Sequence, residues 1–550
     1  MPQTDNSSIR DPRFPLASIA WTLLILAALY ICYFHRLGAI GFLGPDEPRY
    51  ASIAREMAES SDWITPRLFG KPWLEKPILY YWAAAASFKL FGVNEAAARL
   101  PSAVAALLAT LGMAWLAWRI YDGETARWLL VLLPTTVGMI GFSHAAATDM
   151  PFAALLTIAM VFAVRLLGLD PSASFIALTA SPPFTSFFFG FFLGLAVLAK
   201  GPAAVVLAGG TVVLWAALGG RWHDAFRCLR PIGLAGFSLA ALPWYLLCAR
   251  RNPEFFRVFI IEHNFRRYLT PEFQHIQPFW FYLPIILLAI FPWTLLLIPA
   301  AQKFVRQGKE RHGERASELF LLSWVAFPLI FFSVSQSKLP GYILPAVPAL
   351  LLVLTKAVLD GVERAPIRWP GLLPASGLLA TALLVRIGAA KLARQFAAED
   401  ATRALGHVAV LAAISAAVVA LLGLARSHTV ALFVTALVLL SLVARTDRAL
   451  AELDRNFSAR SAAEEARKLW PDFSPDRAAT WQLKRSLSYQ LDFYTHADLP
   501  EWVPPEPRPE WLFIDPGKAQ DALLGGFICA KSIQLPAVIP CRRQRLSGQP

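Results

Sequence analysis

The sequence predicts an all-α polytopic membrane protein that carries a small soluble domain of α/β or α+β type at its C-terminal end. Three observations predict it. First, 56% of the 550 residues are apolar and only 16% are charged, with a mean hydropathy of +0.49. Soluble domains hold about 25% charged residues, so a single soluble enzyme and a disordered chain are both excluded. Second, the apolar residues gather into runs that suit bilayer spans of about 20 residues. Third, from about residue 451 those runs stop and mixed polar sequence takes over.

The first run, Phe14 to Phe34, follows a polar start holding Arg10 and Arg13. It is too long for a signal-peptide core and lacks a small-residue cleavage site before Asp46, so it reads as a span. Further runs lie near 98–118, 128–143, 150–169, 184–199, 202–219, 231–249, 278–300, 317–334, 341–358, 370–387, 406–424 and 429–445, about thirteen in all. An odd number puts the termini on opposite sides. With the N-terminus in the cytoplasm, the inside loops receive Arg119 and Arg127, then Arg221, Arg227 and Arg230. They also receive Lys303, Arg306, Lys309, Arg311 and Arg315, then Lys356, Arg364 and Arg368, as the positive-inside rule expects. The net charge of +13 is thus dispersed among loops, which points to anionic membrane lipids and away from nucleic acid. Residues 451–550 then fall outside, in the periplasm of a Gram-negative cell, and the expected location is the bacterial inner membrane.

Two outside segments break the charge rule. Residues 36–90 carry Arg36, Arg49, Arg55, Arg67, Lys71, Lys76 and Lys89, and residues 250–277 carry Arg250, Arg251, Arg257, Arg266 and Arg267. Cations on the translocated side have a reason if they meet an anionic ligand; snorkelling to lipid head groups is the other account. In "PDEPRYASIAREMAES" a proline and an acid suit a helix start. Tyr50, Ile53, Ala54 and Met57 then make an apolar face for a helix lying along the membrane surface. A cap takes one acid, and here Asp46 and Glu47 crowd together with Arg49 and Arg55, so chemistry is the stronger reading.

The other candidates are scattered. "GKPWLEKPILYYW" has two Lys-Pro pairs that hold extended backbone and so present Glu75 and Lys76 at fixed positions. Asp149 in "HAAATDMPF" and Lys200 in "LAKGPA" stand at span edges, where a charge is costly and usually functional, although helix capping also accounts for Asp149. Glu262, His263, Arg266 and Arg267 crowd a further membrane-edge segment, but one imidazole and one carboxylate do not define a metal site by spacing. Lys338 and Tyr342 in "SQSKLPGYILPA" fall on the rim of the tenth span.

In the C-terminal part "NFSARSAAEEARKLW" reads as an amphipathic helix. "AATWQLKRSLSYQLDFYT" and "EWLFID" alternate like strands about the Pro-rich turn "LPEWVPPEPRPEW". Five cysteines make neither a disulfide scaffold nor a zinc pattern. Cys529 and Cys541 fall in this domain, where an oxidising compartment permits a bridge or leaves two thiols.

Taken in order, "PDEPRYASIAREM", "GKPWLEKPILYYW", "ATDMP", "LAKGP", "EHNFRRYLTP" with "HIQPFWFYLP", and "SQSKLPGYILPA" resemble the bacterial relatives of protein O-mannosyltransferases. The nearest likeness is to the aminoarabinose transferases that modify lipid A. The ordered set covers most of residues 14–360 and is specific where each piece alone is weak. The resemblance implies a GT-C glycosyltransferase domain over residues 1–450, with its site on loops 36–90 and 250–277, and a periplasmic domain over 451–550. It implies a polyprenyl (undecaprenyl) phosphate-linked sugar as donor. The reaction most closely implied moves 4-amino-4-deoxy-L-arabinose to lipid A phosphate, which gives resistance to cationic peptides such as polymyxin. In this likeness Asp46 is the catalytic acid of the first outside loop and Asp149 a second active-site carboxylate. Lys76, Lys200, Arg267, Tyr342, Lys338 and Arg49 bind the donor phosphate. A divalent metal ion, zinc in the lipid A branch, is held by Glu75 and His263.

Two features depart from the pattern. The order here is Glu262-His263-Asn264, where lipid A transferases commonly show Asn-Glu-His, and "ATDMP" is nearer the broad mannosyltransferase-related family. Both bear on sugar and acceptor more than on the reaction, and a protein O-mannosyltransferase-like enzyme is the alternative. The rival class is a transporter or flippase of lipid-linked sugars. Transporters place charges near the bilayer midplane, often with repeated halves, whereas these charges gather at one rim and no repeated half is seen. The chain has no Walker-type glycine loop, as suits a sugar already activated by its lipid phosphate.

Overall fold

The computed structural model describes residues 14–170, 182–270, 276–307, 315–364, 372–396, 399–425, 428–504, 506–518, 526–530 and 537–544. Arg10, Arg13, Lys309, Arg311 and Arg368, and the side chains of Arg267, Lys303, Arg306, Arg315 and Arg364, lie outside the described residues. The first half is α1 (Phe14–Tyr33), α2 (Asp46–Ser60), α3 (Leu79–Phe91), α4 (Glu95–Ile120), α5 (Gly123–Leu132) and α6 (Val137–Ser143). Next come α7 (Asp149–Leu166), α8 (Pro182–Lys200), α9 (Ala203–Gly219), α10 (Trp222–Ala225) and α11 (Pro231–Arg251). A two-stranded ribbon, β1 (Arg67–Leu68) against β2 (Lys71–Pro72), lies between α2 and α3. After a π-helical turn at Arg257–Arg266 follow α12 (Arg267–Leu269), α13 (Tyr282–Ala289), α14 (Leu297–Gln307), α15 (Arg315–Val334), α16 (Val347–Arg364), α17 (Leu372–Phe396), α18 (Glu399–Leu424) and α19 (His428–Ala444).

Among the described residues eight helices are long and apolar enough to cross a membrane, and three further pairs pass as bent spans. The shorter apolar helices Ser18–Tyr33 and Ala203–Gly219 complete the set of runs read from the sequence. Two of those runs are not straight. The run near 128–143 is α5 and α6 meeting at 61°, and the run near 278–300 turns through 104° between Ala289 and Trp293. Pro292 offers no N–H and disfavours helical backbone at Phe291, so the second run is not one rod. Elsewhere small residues let helices meet: a Cβ on Gly190 would lie 1.8 Å from the Gly233 carbonyl oxygen, and one on Gly194 would lie 2.7 Å from that of Phe237. This close crossing of α8 and α11 is how helices associate where lipid removes the hydrophobic drive.

The last part holds α20 (Asp447–Phe457), α21 (Arg460–Leu469), β3 (Ala478–Trp481), α22 (Arg485–Thr495), β4 (Trp511–Ile514), β5 (Phe527–Cys529) and β6 (Ile539–Arg543). The sheet runs β3-β4-β6-β5, with β3 and β4 parallel and the other pairs antiparallel. Cys529 and Cys541 face each other across β5 and β6 and are disulfide-bonded. The strand reading of "AATWQLKRSLSYQLDFYT" holds only for β3, because residues 485–495 form α22. Leu487, Leu491 and Phe493 of that helix are buried, and its apolar residues follow a helical face once the polar ones are set aside.

The expected surface position of α2 also needs correction. Tyr50, Ile53, Ala54 and Met57 are buried as read, but so are Ser52 and Arg55 on other faces. The C-terminal domain covers α2 from above: Arg55 Nη1 donates to the Phe493 carbonyl at 2.7 Å. The helix is packed between bundle and domain instead of lying on lipid.

Candidate active site

Two adjacent acids at the start of α2 have opposite environments. Neither caps the helix, whose N-cap is Pro45 without a side-chain bond. The Glu47 side chain is 10% exposed and that of Asp46 is 51% exposed, which decides their roles. Arg99 of α4 grips Glu47 through Nε–Oε1 and Nη2–Oε2, both 2.9 Å. Glu47 also accepts the backbone N–H groups of Leu43 at 2.8 Å and Ala146 at 2.7 Å. With all its lone-pair directions engaged, it ties the Asp46 loop to the turn that delivers Asp149. The open carboxylate is therefore Asp46.

Asp46 accepts an ion pair from Arg49 one turn on. That guanidinium is held by aromatic faces: Trp73 at 5.3 Å, and Tyr489 at 5.2 Å from α22 of the C-terminal domain. Its Nε also donates to the Pro45 carbonyl at 2.9 Å. Burial, and then the Asp46 carboxylate, holds the Tyr50 phenol protonated well above its ordinary range, and the Asp149 carboxylate adds to the same effect. The two acids thus share one electrostatic neighbourhood.

Asp149 opens α7 and accepts from Lys200 Nζ, at the end of α8, at 2.5 Å. Lys200 Nζ also lies 4.9 Å from the Tyr342 ring centroid. The close approach depends on glycine twice. A Cβ on Gly341 would fall 2.2 Å from Asp149 Oδ1. Gly201, at φ +101°, would carry one only 2.8 Å from the Phe259 ring. Only glycine adopts that backbone without penalty. The "KG" and "PGY" pieces of the sequence are thus packing requirements of the site as well as its markers.

Glu75 and His263 meet, with Nε2 and Oε1 3.9 Å apart. Lys76, next to Glu75, is half-buried. Imidazole and carboxylate are suitable zinc donors, and one cation can bridge such a gap. Among the described residues no third His, Cys, Asp or Glu joins them. Lys338 is engaged elsewhere: its ammonium donates to the carbonyls of Gln277 at 3.0 Å and Ser335 at 2.5 Å and so ties the loop before Tyr342. The Arg267 side chain lies outside the described residues. Sequence reasoning missed Arg99 and Tyr489, which act on residues far along the chain, and gave no role to Trp73 inside the "GKPW" piece.

Helices that gather carboxylates and cations at one end of an apolar bundle, beside a small mixed domain, define a multi-pass membrane protein of the GT-C fold class. The family model for dolichyl-phosphate-mannose-protein mannosyltransferases matches residues 19–259. The undecaprenyl phosphate-alpha-4-amino-4-deoxy-L-arabinose arabinosyl transferase of Edwardsiella ictaluri is 32% identical over 356 residues, 64% of this chain and 62% of the relative. The protein of that name from an Enterobacter species is 32% identical over 342 residues, 62% of this chain and 60% of the relative. The chain thus matches about three fifths of the length of these curated relatives. The crystal structure of ArnT from Cupriavidus metallidurans bound to undecaprenyl phosphate superposes with a TM-score of 0.77 at 22% identity, over 95% of this chain and 98% of that one. Its apo form does so with 0.77 at 21%. At these identities the likeness is one of fold. Over these residues the chain is similar to protein O-mannosyltransferases and to the arabinosyl transferases.

Proposed function

We propose that this protein is an inner-membrane glycosyltransferase that moves 4-amino-4-deoxy-L-arabinose from undecaprenyl phosphate to a lipid A phosphate. The observation that carries the reading is the open Asp46 carboxylate beside the Asp149–Lys200 pair at one end of the bundle. The name of the 32% identical relatives supports the donor sugar. In this reading the N-terminus is cytoplasmic, and the site end and residues 451–550 face the periplasm.

The residues divide the work by charge. The barrier lies in an oxocarbenium-like sugar and a departing phosphate. Lys200, Lys76 and Arg267 oppose the phosphate charge where water is partly excluded, which is the largest kind of electrostatic help. Asp149 holds the Lys200 ammonium in place at 2.5 Å, and Tyr342 flanks it. Asp46 faces the open side and orients the acceptor. A lipid A phosphate is already ionised, so it needs positioning more than deprotonation; a hydroxyl acceptor would give Asp46 its proton. Single displacement with inversion follows if Asp46 acts on the acceptor rather than on the sugar. Glu75 and His263 would hold a divalent metal, which supplies positive charge for a phosphate when bound.

Lipid A mass spectrometry of a deletion strain tests this. Loss of the aminopentose-bearing species, restored by the wild-type gene and not by Asp46→Asn, is expected. Unchanged lipid A would favour a protein acceptor.

A further inference from the structure

At the far end of the bundle from Asp46 and Asp149, two cavities lie on either side of the segment 222–230. From Asp149 the 18-residue α7 runs to Leu166, about 27 Å at 1.5 Å per residue. One cavity, of about 310 Å³, is polar and lined by Arg165, Asp170, Thr185, Arg227 and Arg230. The other, of about 300 Å³, is apolar and runs between α8, α9 and α11, lined by Phe189, Leu193, Trp222, Phe226, Leu229 and Phe237 among others. The walls are shared. Arg227 and Arg230 face one cavity while Phe226 and Leu229 of the same turn face the other, and α8 gives Thr185 to the first and Phe189 to the second.

The polar cavity has a surplus of positive charge. Asp170 is shared by Arg119 at 3.1 Å and Arg165 at 3.6 Å, and Asp224 by Arg221 at 2.7 Å and Arg227 at 3.0 Å. The lining itself holds Arg165, Arg227 and Arg230 against Asp170, and with the ion-pair partners Arg119, Arg221 and Asp224 the described residues set five guanidiniums against two carboxylates. Crowded cations beside hydrocarbon repel one another and lose hydration, and a phosphate relieves both through forked charge-assisted bonds. The apolar cavity opens outward: Val213, Trp222, Phe226, Leu229 and Leu234 on its wall are 48–65% exposed. It therefore opens to the outside of the bundle, between helices that suit membrane spans.

We propose that the two cavities form one binding site for an acidic phospholipid of the adjacent leaflet, with its phosphate among Arg165, Arg227 and Arg230 and one acyl chain along the slot between α8, α9 and α11. Basic pockets between transmembrane helices at a membrane face recognise such head groups. The site is separate from the transfer site and does not depend on the sugar donor proposed above.

Native mass spectrometry of the full chain, released from detergent and titrated with phosphatidylglycerol, phosphatidylethanolamine or inorganic phosphate, tests it. Wild type should hold phosphatidylglycerol at least tenfold more tightly than phosphatidylethanolamine. Arg227→Ala/Arg230→Ala should lose at least tenfold of that affinity. The milder Arg230→Gln serves if the double variant does not fold, as read from its melting temperature in lipid-free detergent. Equal retention of the two lipids, or wild-type affinity in a folded variant, would overturn the proposal. So would full competition by inorganic phosphate, which would leave an anion pocket without a chain site, or displacement by undecaprenyl phosphate at lower concentration, which would give the pocket to a polyprenyl lipid.

Discussion

Glu47 and Arg99 face each other as a two-pronged ion pair, with both contacts at 2.9 Å and both side chains at most 10% exposed. Arg99 further donates to the carbonyls of Leu37 at 2.8 Å, Ile40 at 2.6 Å and Gly41 at 3.0 Å. One guanidinium thus organises the whole loop that leads to Asp46. Removing one partner of a buried pair leaves the other charge uncompensated, at about 3–5 kcal/mol. Arg99→Ala should therefore lower the melting temperature sharply or abolish detergent-stable protein. Glu47→Gln keeps the shape and one acceptor oxygen and should lower it less. A thermal melt of the purified variants reads the order; equal melting temperatures would remove the strut role.

Asp46→Asn should behave in the opposite way. Asn keeps the size and a hydrogen bond to Arg49 but loses the charge. We expect a melting temperature near wild type with transfer reduced by at least ~100-fold, the low end for acid–base groups. Asp149→Asn should also lower transfer, and it should weaken donor binding because Lys200 loses its anchor. A thermal-shift titration with undecaprenyl phosphate separates the two: unchanged for Asp46→Asn, weaker for Asp149→Asn. Identical shifts in both would merge their roles.

Much of this was legible in the sequence, because hydropathy is local. The helical runs, the acid after the first span and the Asp149 and Lys200 edges follow from charge set against hydrocarbon. The division between Asp46 and Glu47 was not legible. Two neighbouring acids project about 100° apart on a helix, and only the position of Arg99, 52 residues on, determines which is buried. The covering of α2 was hidden for the same reason: Gly41 N–H donates to Asp454 at 2.6 Å and Phe42 N–H to Tyr494 at 3.0 Å, across 413 and 452 residues. Mixed aromatic and polar residues in α22 imitate strand alternation, and tertiary packing overrode that local pattern.

Tyr489 links the C-terminal domain to the site through the Arg49 face at 5.2 Å. A cation–π contact of this kind contributes about 0.5–2 kcal/mol. Tyr489→Ala should lower kcat by roughly 2–30-fold, and Tyr489→Phe, which keeps the ring, should restore it. Steady-state transfer kinetics test this, and loss in the Phe variant equal to that in Ala would show that the ring face is not what matters.

Asp492 gives the C-terminal domain a pH dependence. Burial raises its carboxyl from 3.8 to about 7, against the Leu499 N–H and Arg55, which act to lower it. Between about pH 4 and pH 7 the native state keeps a proton that the unfolded chain has released, so this group's contribution to stability falls as pH rises through that window. Asp492→Asn, which keeps the acceptor for Leu499, should match wild type near pH 4 and melt higher at pH 8. A constant difference across the range would contradict the shift.

Reconstituted transfer measures the proposed reaction itself. Purified protein is mixed with undecaprenyl phosphate-linked 4-amino-4-deoxy-L-arabinose and lipid A, and the lipid A is weighed by mass spectrometry. Wild type should add the mass of one aminopentose per modified phosphate, and Asp46→Asn should add none. Unmodified lipid A with folded wild-type protein, or equal modification by both proteins, would contradict it.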